Sequence, residues 1–144
     1  MRGFLLALAA TAAIALPSQA YAREYVVKML NKGSAGPMVF EPAFVKVASG
    51  DTVRFVATDK SHNAETIPGM IPAGATPFKG AMNKDVIVKF TKPGVYGVKC
   101  LPHYGLGMVA LIETGKPGNI VQAKSVKHPA LAQRRFDAIF RAVK

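Results

Sequence analysis

The residues with the clearest chemical potential lie in one short segment, Cys100-Leu-Pro-His-Tyr-Gly-Leu-Gly-Met108. This segment holds the only cysteine of the chain, and it also carries the imidazole of His103 and the thioether of Met108. A second imidazole, His62, lies well upstream. Two imidazoles, one thiolate and a weak axial thioether are the ligands of a blue-copper electron-transfer site. The residue types therefore predict one copper ion held by His62, Cys100, His103 and Met108.

The segment that carries three of these side chains is predicted to be a tight loop. Pro102 removes a backbone donor, and Gly105 and Gly107 both disfavour a helix. A loop can turn Cys100, His103 and Met108 towards one ion. No coordination position is then left open for a substrate, so the site predicts electron transfer and not an enzyme.

The first 22 residues have the pattern of a secretory signal peptide. Arg2 supplies a positive start, an apolar run follows, and Ala20-Tyr-Ala22 is a small-x-small cleavage site. The apolar run is too short to span a membrane, and no later segment is long enough. The sequence therefore predicts an exported mature chain, residues 23–144, that forms a single domain and has no membrane span.

A single cysteine in an exported chain narrows the possible sites. It cannot form an internal disulfide, and it excludes four-thiolate zinc and iron–sulfur sites. A small buried core residue is the simplest alternative for an isolated cysteine. The neighbouring His103 and Met108 favour a metal ligand instead.

The chain is strongly basic, with 19 Lys and Arg against 8 Asp and Glu and a net charge of +11. Such a charge favours fast, salt-sensitive association with acidic partners. The lysines are scattered singly and no nucleic-acid motif is present, so nucleic acid is not predicted as a partner. An acidic protein fits the charge better.

Most of the mature sequence predicts short strands. Runs that alternate apolar and polar residues are separated by Gly- and Pro-containing turns, which is typical of an antiparallel β-sandwich. Residues 60–84 are irregular and are predicted to be a loop with one helical turn. The predicted strands are residues 24–30, 39–40, 44–47, 52–57, 85–90, 94–99 and 109–114.

Helix signals replace strand signals in residues 117–144. Asn119 is a candidate cap for a helix over 120–125, and Pro129 suits the first turn of a second helix. In that second helix the apolar residues Ala132, Phe136 and Phe140 share one face with Ile139 and Val143. We expect this face to pack on the sheet. The alternative is that the basic, amphipathic helix binds a membrane.

Taken together, these features resemble the pseudoazurin family of cupredoxins over nearly all of residues 23–144. The Cys-x-x-His-x4-Met spacing also occurs in plastocyanins, but those chains end soon after the strand that follows the methionine. The resemblance implies a Greek-key cupredoxin β-sandwich with two C-terminal α-helices. The segments that carry it are Met38-Val-Phe-Glu-Pro-Ala43, Gly50-Asp-Thr-Val53, His62-Asn63 and residues 98–108.

The resemblance also implies roles around the copper ion. The backbone N–H of Asn63 would donate to the copper-bound sulfur while its side chain bridges the ligand loops, and Met38 would pack near His103. Pro102, which has no N–H, cannot supply a further donor to the sulfur. Basic positions around the exposed edge of His103 would attract an acidic partner, although each lysine alone could be ordinary surface charge. These positions are Lys32, Lys60, Lys79 and Lys99.

The function that follows is a periplasmic one-electron carrier, expected to be a monomer. The resemblance implies a denitrification reductase, such as nitrite or nitrous oxide reductase, as electron acceptor and a c-type cytochrome as donor. The alternative is a periplasmic protein that stores or delivers copper without redox cycling. The sequence leaves the partner, the reduction potential and the blue-versus-green geometry of the site open.

Overall fold

The computed structural model describes residues 21–144, which form eight strands and two α-helices. The predicted leader lies outside the described residues except for its last two positions. The strands are β1 (Glu24–Gly33), β2 (Gly36–Glu41), β3 (Phe44–Val47), β4 (Thr52–Val56), β5 (Glu65–Thr66), β6 (Val86–Lys89), β7 (Gly94–Lys99) and β8 (Val109–Thr114), and the helices are α1 (Ile120–Ser125) and α2 (Ala130–Phe140).

The strands form two four-stranded sheets, in the orders β2-β1-β4-β6 and β3-β8-β7-β5. The predicted all-β sandwich with two C-terminal helices is confirmed. The expectation of an antiparallel sandwich is wrong for two of the six strand pairs in residues 21–144, because β1 pairs with β4, and β3 with β8, in parallel. Alternating hydrophobicity has the same period in both strand directions, so it could not distinguish the two pairings.

The core between the sheets is formed by the apolar residues that alternate with polar residues along the strands. Val53 and Phe55 of β4 are fully buried, and they lie in one cluster with Val98 of β7 and Ile112 of β8. Gly97 of β7 allows Met70 to pack directly against the strand, because a Cβ at this position would lie 2.6 Å from the sulfur of Met70. The β-sandwich therefore holds the ends of β7 and β8 rigidly in place.

The irregular segment, residues 60–84, differs from the prediction. It contains the short strand β5 and an isolated bridge between Glu65 and Lys79, and the predicted helical turn is absent. The backbone N–H of Thr66 donates to Phe78, and that of Ile67 donates to Gly97 of β7. These long-range bonds take the donors that a local helix would use.

The two helices cover the outer face of the second sheet, with α1 against β7 and α2 against β8. Ala132, Phe136 and Phe140 of α2 are buried in a second cluster with Val109 and Leu111. The predicted inward face of α2 is therefore confirmed. The longest helix in residues 21–144 has 11 residues, and none is long and apolar enough to cross a membrane.

The sequence predicted Asn119 as the cap of α1, and this prediction is wrong. Its side chain makes no cap hydrogen bond. Its Oδ1 accepts from the backbone N–H of Val95 at 2.8 Å, and its Nδ2 donates to the Val95 carbonyl at 2.9 Å. Asn119 therefore ties the start of α1 to β7, which is a tertiary role that no local pattern reveals.

Candidate metal centre

The loop between β7 and β8 brings Cys100, His103 and Met108 together. The backbone N–H of Cys100 donates to the Met108 carbonyl at 3.0 Å, and the N–H of Met108 donates to the His103 carbonyl at 3.1 Å. One turn of 3-10 helix, Tyr104–Leu106, fills the space between them. The two paired strands thus fix both ends of the loop, and its backbone bonds close it into a compact turn.

Three of the predicted ligands converge on one point. The Nδ1 atoms of His62 and His103 are 3.0 Å apart, and they lie 3.7 Å and 3.5 Å, respectively, from the Cys100 sulfur. His62 and Cys100 are fully buried. Met108 is also fully buried, in the same core cluster as Cys100. His62, distant in sequence, is therefore brought to the loop that carries Cys100, His103 and Met108.

The chemistry of this donor set fits copper. Thiolate sulfur suits Cu(I), and imidazole nitrogen suits both common oxidation states of copper. Among the described residues, His62, Cys100 and His103 are the one group of histidine, cysteine or acidic side chains placed to hold a metal ion. It contains two nitrogens and one sulfur and no carboxylate, so it does not favour magnesium or calcium.

Burial controls the charge of the ligands. It raises the pKa of the Cys100 thiol, although the backbone N–H groups of Asn63 and His103 oppose this by stabilising the thiolate. Burial, followed by the proximity of His103, lowers the pKa of His62. The imidazole therefore stays neutral, as a metal ligand must be, and metal binding has to displace the thiol proton.

Asn31, near the end of β1, orients His62, a role that no local pattern predicts. Its Oδ1 accepts from Nε2 of His62 at 2.9 Å. A proton on Nε2 leaves the lone pair of Nδ1 directed at Cys100 and His103. The backbone N–H of Asn31 in turn donates to Asp59 at 2.7 Å, which fixes the position of the asparagine.

Asn63 joins the two ligand segments. Its Oδ1 accepts from the backbone N–H of Leu101 at 2.7 Å. Its Nδ2 donates to Glu65 at 3.0 Å and to the Gly80 carbonyl at 3.2 Å. Glu65, which the sequence analysis overlooked, is a buried carboxylate that holds this amide in place. The residue after His62 is thus bonded directly to the residue after Cys100.

The two remaining predicted neighbours of the site are Met38 and Pro102. Met38 is partly buried, packs against the core that contains Cys100, and has a positive φ of 48°. Pro102 is exposed in the ligand loop.

The four lysines predicted to surround the site differ in their exposure to solvent. Lys32, Lys60 and Lys79 are exposed. The Lys99 side chain is only 16% exposed, with its Nζ 3.6 Å from a Glu65 oxygen and 5.0 Å from the centre of the Tyr104 ring. Lys99 therefore contacts mainly other groups of the protein, whereas the other three make no ion pair within residues 21–144.

His62 and His103 differ in their access to solvent. His62 is fully buried, whereas His103 is partly exposed. Two large apolar side chains of the same loop, Leu101 and Leu106, are 48% and 50% exposed. The ring of His103 therefore lies beside an apolar part of the surface.

Comparison with known proteins places this site in a family. Residues 27–115 match the family model described as copper binding proteins, plastocyanin/azurin family. The pseudoazurin of Paracoccus pantotrophus is 49% identical over 134 residues, which cover 92% of each chain. The pseudoazurin of Methylorubrum extorquens is 51% identical over 138 residues, covering 94% of this chain and 93% of its own.

A solved structure agrees with the sequence relatives. The crystal structure of pseudoazurin from Methylobacterium extorquens AM1 superposes with a TM-score of 0.82 at 51% identity, and covers 84% of this chain and 99% of that chain. The sandwich and the His–Cys–His cluster define a copper-binding cupredoxin, a class that transfers electrons and does not catalyse reactions. Within that class, the chain belongs to the pseudoazurins.

Proposed function

We propose that this chain is a periplasmic one-electron carrier whose single copper ion is held by His62, Cys100, His103 and Met108. The observation that carries the proposal is the convergence of two Nδ1 atoms and one sulfur, 3.0 to 3.7 Å apart, with His62 and Cys100 fully buried. Met108, buried in the same core cluster as Cys100, would supply a thioether ligand. When bound, copper would supply the Cu(II)/Cu(I) couple.

The fold keeps the ligands in place through the redox cycle. Asn31 holds His62, and Asn63 holds the segment that follows Cys100. Ligands that are fixed by such bonds move little when the charge of the metal changes, which favours fast electron transfer. The two N–H groups directed at the Cys100 sulfur stabilise its thiolate form.

The exposed edge of His103 is the proposed path for the electron. His62 is sealed from solvent, so His103 is the ligand that a partner can approach. Leu101 and Leu106 offer a dry contact surface beside it. A small apolar contact of this kind suits a transient complex that must dissociate after each transfer.

Basic residues would guide the partner to this surface. Lys32, Lys60 and Lys79 are exposed, and the chain carries a net charge of +11. An acidic reductase, such as nitrite or nitrous oxide reductase, is the proposed acceptor, and a c-type cytochrome is the proposed donor. Lys99 contributes less to steering, because Glu65 already neutralises it within the protein.

Stopped-flow electron transfer to a copper nitrite reductase tests this role. We expect the second-order rate constant to fall steeply as ionic strength rises, because screening weakens the attraction between unlike charges. Lys60→Gln and Lys79→Gln should each slow the reaction at low salt. Lys116→Gln is the matched control: it lies beyond the far end of β8, roughly 20 Å along the strand from Met108 at about 3.3 Å per residue.

The outcomes separate the proposed carrier from its alternative. A reversible one-electron wave together with the salt dependence supports the carrier. Equal rates for the Lys60 variant and the Lys116 control would refute the proposed docking surface. Rapid transfer of the bound copper to a competing chelator, with no reversible wave, would favour storage or delivery of copper.

A further inference from the structure

Arg135, on α2, lies between the ligand loop and the β1–β2 hairpin. Its Nη1 donates to the Gly107 carbonyl at 2.8 Å and to the Met38 carbonyl at 2.6 Å, and its Nη2 donates to the Pro37 carbonyl at 2.8 Å. One guanidinium thus joins three segments that are far apart in the sequence. All three partners are backbone groups, so the contact fixes the path of the chain.

The carbonyls that Arg135 binds are next to residues of the copper site. Gly107 directly precedes Met108, and its φ of 85° lies in the left-handed region that glycine favours. A Cβ at Gly107 would lie 3.2 Å from Cδ of Arg135 and 3.2 Å from the backbone of Leu131, so α2 packs directly on the loop at this point. Met38, on the other side, also has a positive φ.

We propose that Arg135 is a positioning residue of the copper site, which holds the backbone at Gly107 at a fixed distance from β2 and so limits how far the Met108 thioether can move from the metal. The inference rests on the proposed ligand set. A planar guanidinium donates in several fixed directions at once, whereas a lysine ammonium is a point charge on a flexible chain. Arg135→Lys therefore removes the fixed geometry and keeps the charge.

The matched control is Arg134→Lys, since Arg134 is the neighbouring residue on α2 and its side chain is exposed. The first measurement uses metal-free protein. The amide of Met108, which donates to His103, should exchange with solvent about tenfold faster in Arg135→Lys than in the control, because bonds from a charged donor to the loop are lost. The amide of Val98 in β7 is the internal reference.

The second measurement uses copper-loaded protein. A looser loop places the thioether farther from copper on average, and weaker axial donation favours Cu(I). We expect Arg135→Lys to shift the reduction equilibrium towards Cu(I) by about threefold, which is about 28 mV at 59 mV per tenfold change. The relative intensity of the visible charge-transfer bands should change as well. Arg134→Lys should alter neither quantity.

Each result decides a separate point. Faster exchange with an unchanged potential and spectrum would show that Arg135 merely fastens α2, and would overturn the positioning role. Unchanged exchange would overturn the anchoring itself. A wild-type chain that takes up no copper would refute the proposed function, and with it the ligand set on which the inference rests. If Arg135→Lys does not fold, the proposal is tested on the wild-type protein. NMR coupling through the hydrogen bond from Arg135 to the Gly107 carbonyl should then be observed, and its absence would overturn the proposal.

Discussion

Asn63→Ala should disturb both the stability of the chain and the copper site, because the amide connects the two ligand segments. The substitution leaves the Leu101 N–H, the Gly80 carbonyl and a buried Glu65 oxygen without their partner. A neutral hydrogen bond contributes about 1 kcal/mol and one to a charged group about 1.5–3 kcal/mol. The free energy of unfolding of the metal-free protein should therefore fall by about 3–5 kcal/mol.

Asn119→Ala is the matched control for this experiment. That side chain also makes backbone hydrogen bonds, both to Val95, but it lies at the start of α1 and not in a ligand segment. It should lower the unfolding free energy by about 2 kcal/mol, from two neutral hydrogen bonds. The absorption spectrum of its copper-loaded form should remain that of the wild type.

Urea unfolding of the metal-free variants and visible absorption of the loaded variants provide the measurements. The reasoning predicts that Asn63→Ala alters the intensity or position of the charge-transfer bands, since the Cys100 segment is no longer held against His62. A loss of less than 1 kcal/mol for Asn63→Ala would refute the hydrogen-bond argument. A spectrum identical to that of Asn119→Ala would refute the link to the metal site.

Three further predictions concern single side chains. The backbone N–H groups of Arg23 and Ala48 lower the pKa of Asp51 below 3.8, so this carboxylate stabilises the fold above that pH, and the effect is lost as the pH falls through its folded pKa. In urea unfolding, the stability advantage of wild type over Asp51→Asn should therefore shrink on acidification. A difference that stays constant with pH would contradict this. Asn31→Leu should weaken copper binding about tenfold in a chelator competition, because outer-shell partners of a ligating histidine raise affinity by about 10–100-fold, and equal affinity would count against the orienting bond. Pro102→Ala supplies an N–H near the sulfur and should raise the reduction potential by voltammetry; an unchanged or lower potential would be inconsistent with that reasoning.

The sequence predicted the parts of the fold that depend on local patterns. The bounds of β3, β7, β8 and α1 agree with the predicted ranges, since alternation and turn residues mark them clearly. Strand direction was predicted wrongly for two pairs, because the side-chain period carries no information on direction. The strand β5 was missed because its two residues depend on partners in distant segments.

In the candidate site, too, local sequence patterns predicted some residues, and residues that act through tertiary contacts were missed. The segment from Cys100 to Met108 predicted the ligand loop, because it combines a cysteine, a histidine and a methionine with glycine and proline residues that favour a turn. Asn31, Glu65 and Arg135 were not predicted as neighbours of the site. The roles of Asn31 and Arg135 depend on tertiary contacts across 28 to 98 residues of sequence. Glu65 acts on Asn63, two residues away, but a carboxylate at that spacing is also ordinary surface charge.

The most direct test of the central claim is titration of the purified metal-free protein with Cu(II), followed by visible absorption. One equivalent of copper should produce an intense blue or green thiolate-to-copper band, and Cys100→Ser should abolish that band. A chain that binds no copper tightly, or gives only the faint colour of nitrogen and oxygen complexes, would contradict the assignment of His62, Cys100, His103 and Met108 as ligands.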